Sequence, residues 1–243
     1  MSRMADGVAL PIGGKMVERW RRFPREPDMV VYSFRSVISL IIRGLLRTYE
    51  RFEIIGAENL PNDDESFVLV ANHASHLDTL CLLAALPLGR LHQAFPVAAE
   101  DYFFRSLPRS WFATVVMNAL PFGRRMGVRE SLSICAQLLA QPGNVLIIFP
   151  EGTRSQTGAM QPFKSGIGTL LAGRDVTVLP CSVQGAYRAW PKGRRLPRPG
   201  KVRLIIGRPR NYATRGTERG DLGAIAAELH SAVNQLGQIN GSA

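Results

Sequence analysis

The run Val145-Leu146-Ile147-Ile148-Phe149 constrains the fold more than any other stretch of this chain. Its apolar residues follow one another without alternation, so a strand built from them has no face to turn to water. Such a strand must be covered on both sides, and a parallel sheet between two layers of helices does this. Ser66-Phe67-Val68-Leu69-Val70-Ala71 reads the same way, as does the stretch 176–183, which carries Pro180. Shorter strands are expected at 52–56, 95–99, 115–122 and 202–206. Helical patterns at 78–86, 128–140, 163–171 and 221–236 separate them. Residues 103–112, aromatic and basic and broken by Pro108, read as an interrupted helix near the site. The expected class is α/β: a mixed, largely parallel central sheet flanked by helices. At 243 residues the chain is long enough for one sizeable core, or one core and a small appendage.

The beginning of the chain has a different character. Residues 1–28 mix Gly and Pro with Lys15, Arg19, Arg21, Arg22 and Arg25 around Trp20 and Phe23. Residues 29–46 are strongly apolar but interrupted by Arg35 and Arg43, with Arg47 just beyond. The uninterrupted stretches fall short of the ~20 residues of a spanning helix. An amphipathic helix in the membrane interface is expected, and the same helix can also pack on the core. Residues 1–50 are therefore expected to be a basic, apolar membrane-association segment, and residues 51–243 a catalytic domain. No apolar core followed by a small-residue cleavage site marks a secretory signal.

Lys and Arg number 30 against 19 Asp and Glu, a net charge of +11. That balance calls for an anionic partner: nucleic acid, an acidic membrane surface, or phosphorylated and coenzyme A-like substrates. Residues 176–217 contain no acid, while Arg188, Lys192, Arg194, Arg195, Arg198 and Lys201 fall within them. Pro and Gly break this run and no RNA-binding signature accompanies it, which disfavours nucleic acid. Cys81, Cys135 and Cys181 lie in apolar runs without C-x-x-C spacing, so they read as buried free thiols.

The chemistry concentrates where strands end. Asn72-His73-Ala74-Ser75-His76-Leu77-Asp78 joins the strand at 66–71 to the helix that follows. On one continuous helix His73 and Asp78 would sit roughly 140° apart, five steps of ~100° each, and could not meet. With His73 on the loop and Asp78 in the first helical turn, the carboxylate can curl back onto the ring, giving a general base with its orienting group. Gly123, Arg124 and Arg125 end a second strand, and Glu151, Gly152, Thr153 and Arg154 a third. Parallel strands bring these clusters to one edge of the sheet. Arginine forks and glycine turns there suit a phosphate-bearing substrate. A metallohydrolase is the rival reading, but the spacing H-x-x-H-x-D is not the H-x-H-x-D-H of the metallo-β-lactamase fold.

The block 72–78 resembles the N-H-x-S-x-x-D block of the glycerolipid acyltransferases, most of all the 1-acylglycerol-3-phosphate acyltransferase branch. Phe149-Pro150-Glu151-Gly152-Thr153-Arg154-Ser155 matches that family's F-P-E-G-T-R-S block. Phe122-Gly123-Arg124 and Val178-Leu179-Pro180-Cys181-Ser182-Val183 resemble two further blocks. The resemblance runs from about residue 52 to about residue 207. It implies transfer of a fatty acyl group from a thioester to a hydroxyl. His73 would be the catalytic base and Asp78 its orienter. Arg124, Glu151, Gly152, Thr153 and Arg154 would bind the acceptor. No enzyme Ser or Cys need be acylated, and neither metal nor cofactor is implied.

Lysophosphatidic acid is the first-choice acceptor; other lysophospholipids, lyso-ornithine lipid and glycerol-3-phosphate stay open. The donor is acyl-CoA or acyl carrier protein. The expected setting is the cytoplasmic face of a membrane, peripheral or monotopic, on an anionic surface. Ser75 is expected to cap the helix or stabilise the turn. His76 is expected to face solvent or bond locally, and Arg125 to be a solvated neighbour. Lys164 is either a helix-surface lysine or a contact for thioester phosphate.

Overall fold

The computed structural model describes residues 29–62, 64–99, 115–122 and 127–238. Its centre is a seven-stranded sheet. In chain order the strands are β1 (Glu53–Ile55), β2 (Phe67–Ala71), β3 (Ala94–Ala99), β4 (Leu120–Phe122), β5 (Val145–Ile148), β6 (Thr177–Gln184) and β7 (Arg203–Ile206). They are arranged β1-β7-β6-β2-β5-β3-β4. Only β6 and β7 run antiparallel. The expectation of a mixed, largely parallel sheet is met.

The unbroken apolar runs are the central strands. All of β2 is buried, and β5 is buried through Ile147. Strand side chains alternate between faces, and the two faces have separate cores. Phe67, Leu69, Ala71, Val145, Ile147 and Leu179 join one cluster with Leu46 and Leu82. Val68, Val70, Leu146 and Val178 join the other with Cys135, Leu170, Ile225 and Leu229. The first face is covered by α1 (Met29–Tyr49) and α2 (Leu77–Ala85). The second is covered by α3 (Val128–Leu139), α4 (Gly166–Leu171) and α6 (Arg219–Gln238). A short α5 (Ala186–Ala189) follows β6. Each fully buried Leu, Ile or Val contributes about 1.5–3 kcal/mol of transfer free energy.

The register places strand ends side by side. Val70 lies opposite Ile148 on one flank and Pro180 on the other. The residues after β2, β5 and β6 therefore leave the sheet together.

Two expectations are corrected. The strand expected over 115–122 is confined to Leu120–Phe122. Asn118 takes a left-handed φ of 52°, which ends any extended run before it. Its amide donates to His92 O and Ala94 O, and Arg35 Nε donates to Val115 O. The segment 115–119 thus serves as a seat for α1.

The second correction concerns α1. It is one continuous 21-residue helix with a mean hydropathy of 1.6 over an 18-residue window, long and apolar enough by length and composition to cross a membrane. The arginines that interrupt its sequence do not interrupt the helix. Arg35 is buried, and Arg43 donates to Leu86 O. The face turned outward carries Val30, Phe34, Val37, Leu40, Ile41 and Leu45. The amphipathicity is inverted, with Arg35 and Arg43 on the protein side; Arg47, in the last turn, is exposed.

Just past α1, Glu50 is 2% exposed. Neither carboxylate oxygen has a hydrogen-bond partner among the described residues. Burial pushes its carboxyl above the ordinary 4.5. A folded-state pKa that is raised means folding is favoured by protonation, so the stability Glu50 allows is greatest below 4.5 and is lost as pH rises through the folded-state value. The melting temperature of Glu50→Gln should gain on that of wild type as pH rises above 4.5. A difference that does not change with pH contradicts this.

Candidate active site

The loop after β2 is fixed at both ends. Asn72 continues the sheet with its side chain: Val183 N–H donates to its Oδ1 at 2.8 Å, and its Nδ2 donates to Val183 O at 3.1 Å. The chain then turns through His73 to His76 and enters α2. Asp78, in the first helical turn, is fully buried. Its Oδ2 accepts three hydrogen bonds, from His73 Nδ1 at 2.9 Å and from the Ala74 and Ser75 amides at 2.7 Å each. These donors and the positive end of α2 stabilise the buried carboxylate.

That geometry sets the histidine's tautomer. A carboxylate only accepts, so Nδ1 carries the proton and Nε2 keeps a lone pair. The ring stacks on Phe149, with centroids 4.0 Å apart and planes 16° from parallel. Its side chain is 19% exposed. Nε2 has no hydrogen-bond partner among the described residues. It is the basic atom that the pair can offer to a hydroxyl.

The loop after β5 grips the same histidine by its backbone. Glu151, 3% exposed, accepts from His73 N at 2.7 Å through Oε1 and from Gln161 N at 3.0 Å through Oε2. Ser155 N donates to His73 O at 2.8 Å. Burial pushes the Glu151 carboxyl up, opposed by those two amides. Its oxygens go to backbone amides and not to an arginine, so Glu151 fixes the position of the His73 backbone. Gly152 has φ +72°, and a side chain there would meet Lys164 Nζ at 2.5 Å. The Lys164 ammonium thus lies across the turn at Gly152, and Thr153 is exposed. Arg124 and Arg125 lie outside the described residues.

His76 corrects an expectation. It is half-buried and bonds far along the chain rather than locally: its Nε2 accepts from Arg154 NH1, and its ring tilts against Trp190 at 5.3 Å. An arginine only donates, so His76 is neutral in this pairing, with its proton on Nδ1. Ser75 stabilises the turn, as expected. Its Oγ accepts from Leu77 N and donates to Trp190 O at 2.7 Å. His73, Asp78, Glu151, Gly152 and Arg154 are thus brought together at one edge of the sheet. Phe149, Trp190 and Asn72 complete the site without having been given roles from sequence. Phe149 and Asn72 lie inside the two motif blocks, so position was their only signal.

The cysteines offer no competing nucleophile. Cys81, Cys135 and Cys181 are buried, and desolvation pushes all three thiols up, away from the reactive thiolate. Among the described residues no three His, Cys, Asp or Glu side chains gather at metal-binding range.

The model of the Acyltransferase family matches residues 51–184. A chloroplastic 1-acyl-sn-glycerol-3-phosphate acyltransferase of Brassica napus is 34% identical over 165 residues, covering 66% of this chain and 45% of the relative. The 1-acyl-sn-glycerol-3-phosphate acyltransferase alpha of Mus musculus is 29% identical over 199 residues, covering 78% and 65%. The chain spans about half the length of the first curated relatives it matches. In fold it is similar to the crystal structure of the 1-acyl-sn-glycerophosphate acyltransferase PlsC from Thermotoga maritima. That likeness has a TM-score of 0.61 at 24% identity, over 95% of this chain and 89% of the other.

Proposed function

Because the chain belongs to the Acyltransferase family, matched over 134 of its residues (51–184), we propose that it transfers a fatty acyl group from a thioester to the free hydroxyl of 1-acylglycerol-3-phosphate, forming phosphatidic acid. The observation that carries the reading is the His73 Nδ1–Asp78 Oδ2 pair at 2.9 Å, with Nε2 left free to accept a proton. The relatives, 1-acyl-sn-glycerol-3-phosphate acyltransferases by name, support the acceptor.

In the proposed step the acceptor hydroxyl lies at His73 Nε2. The ring takes its proton as the oxygen attacks the thioester carbonyl. Asp78 stabilises the imidazolium that forms. The tetrahedral intermediate collapses, the C–S bond breaks, and the imidazolium returns its proton to the leaving sulfur. The hydroxyl is its own nucleophile, so neither an acylated enzyme residue nor a cofactor enters the balance. Arg154, held by His76, is assigned to the acceptor phosphate. Gly152, Thr153 and Arg124 complete that end of the acceptor site, and Glu151 holds His73 in place. The donor is acyl-CoA or acyl carrier protein.

The inverted face of α1 supports a place on a membrane. Residues 1–50 are assigned to membrane association and residues 51–243 to catalysis, at the cytoplasmic face. A lysolipid acceptor would then reach His73 from the bilayer that α1 contacts.

Arg154 gives the test of acceptor recognition. Hydrogen bonds to charged groups are worth about 1.5–3 kcal/mol, so Arg154→Ala should raise the acceptor KM about 10- to 100-fold with less effect on the donor. His76→Ala should raise it about 3- to 10-fold, less than loss of the arginine because the guanidinium remains and only its anchor is removed, and His76→Gln, which keeps an acceptor, should restore most of it. An equal loss with an acceptor lacking phosphate would contradict the assignment.

A further inference from the structure

The basic stretch between Asp175 and Glu218 folds beside the active site and lines a cleft that the proton-transfer step does not use. The cleft has a volume of about 610 Å³ and is lined by Thr157, Gly158, Tyr187, Arg188, Arg198 and Lys201, among others. It opens where β6 ends and β7 begins, at the paired residues Gln184 and Arg203. This is the same sheet edge from which the His73 loop leaves β2.

The cleft is built and rigid. Tyr187 Oη donates to Gln156 O at 2.6 Å, tying one wall to the loop that carries Arg154. Gly158 lies so close to the Tyr187 ring that a side chain there would come within 2.7 Å of it. Gly185, at φ +79°, lets the end of β6 approach Lys201 O, which a side chain would meet at 2.0 Å. The hydrogen bond from Ser75 Oγ to Trp190 O joins this wall to the His73 loop.

Two of its three cations are unspent. Arg188 and Arg198 are exposed and hold no ion pair among the described residues. Lys201 shares Glu53 with Arg203. Behind Gly200 lies the Glu50 carboxyl, 3.4 Å from where a side chain on that glycine would begin.

We propose that this cleft binds the phosphates of a nucleotide-linked acyl thioester, the adenosine end of an acyl-coenzyme A. The proposal rests on acyl transfer as the reaction of this chain. Each reactant then carries phosphate, and Arg154 accounts for only one of them. The volume falls within the roughly 300–1,000 Å³ of small-molecule sites and exceeds what a single phosphate fills. Two unpaired guanidinium forks match phosphate oxygens, and glycine walls allow close backbone approach. A thioester anchored there extends past Trp190 toward His73.

The test is equilibrium binding of coenzyme A, and of pantetheine without phosphates, to the full chain and to Arg188→Ser/Arg198→Ser. Both side chains are exposed, so the variant should melt with wild type; the single Arg198→Ser variant provides the same reading if it does not. Coenzyme A should bind wild type in a salt-sensitive way and the double variant at least about tenfold more weakly, as for the loss of a charge-assisted hydrogen bond. Pantetheine binding should not change. The KM for acyl-coenzyme A should rise with it while the acceptor KM stays. Unchanged coenzyme A affinity overturns the proposal. So does a loss seen only in partition onto phosphatidylglycerol vesicles, which assigns the arginines to lipid headgroups. A loss seen only with an acyl carrier protein donor overturns it as well. Binding needs no turnover. Weakened coenzyme A binding in the variant, with no acyl transfer by wild type, would keep the cleft and reject the reaction.

Discussion

Replacing His73 with alanine is expected to lower kcat by about 10²- to 10⁴-fold, the range of a positioned general base, and to leave the chain folded. The fold survives because what anchors this residue is its backbone. Glu151 accepts from its N–H, Ser155 donates to its carbonyl, and neither bond needs the ring. Asp78 keeps two of its three donors, the Ala74 and Ser75 amides. The loss of one hydrogen bond and of the stack on Phe149 costs about 1–2 kcal/mol of stability. Circular dichroism and a melting curve alongside steady-state turnover check both halves. An unfolded variant would move His73 from chemistry to structure, and near wild-type turnover would remove it from both.

Asp78→Asn is expected to cost a similar factor in kcat by a different route. One oxygen, Oδ2, takes the bonds from His73 Nδ1 and from the Ala74 and Ser75 amides, so the amide oxygen of asparagine keeps all three or none. Its NH₂ group, however, donates where the carboxylate accepts. If that group faces His73, the ring must offer a lone pair at Nδ1 and moves its proton to Nε2, the nitrogen meant to act as base. If the oxygen faces His73 instead, the NH₂ occupies the place of Oδ1, which is buried without a partner. An orphaned buried donor costs about 1–3 kcal/mol. Either way the imidazolium loses its counter-charge. The expected drop is about 10²- to 10⁴-fold in kcat, with KM for both substrates little changed. A variant that loses KM and keeps kcat would mean that Asp78 shapes the binding loop alone.

Much of this molecule is legible in its sequence because the strongest signals are local. The unbroken apolar runs around Val68 and Ile147 are buried on both faces, as a parallel sheet requires. The spacing from His73 to Asp78 places base and orienter across a strand-to-helix turn, where they meet at 2.9 Å. What sequence does not reveal depends on register. His76 and Arg154 are 78 residues apart, and only the pairing of Val70 with Ile148 makes them neighbours. The same pairing turns Glu151 toward the His73 amide. The inversion of α1 is hidden for another reason. Arg35 and Arg43 look like breaks in an apolar run until the carbonyls of Val115 and Leu86 are there to receive them. Asn118 likewise ends the expected strand through a left-handed φ that its residue type only permits.

The most direct measurement is mass-spectrometric detection of the lipid product. Purified wild type and His73→Ala would each be given 1-acylglycerol-3-phosphate with an acyl thioester. Phosphatidic acid formed by wild type, and reduced at least about 10²-fold in the variant, is the predicted result. Equal product from both proteins, or product only from a different acceptor, would contradict it.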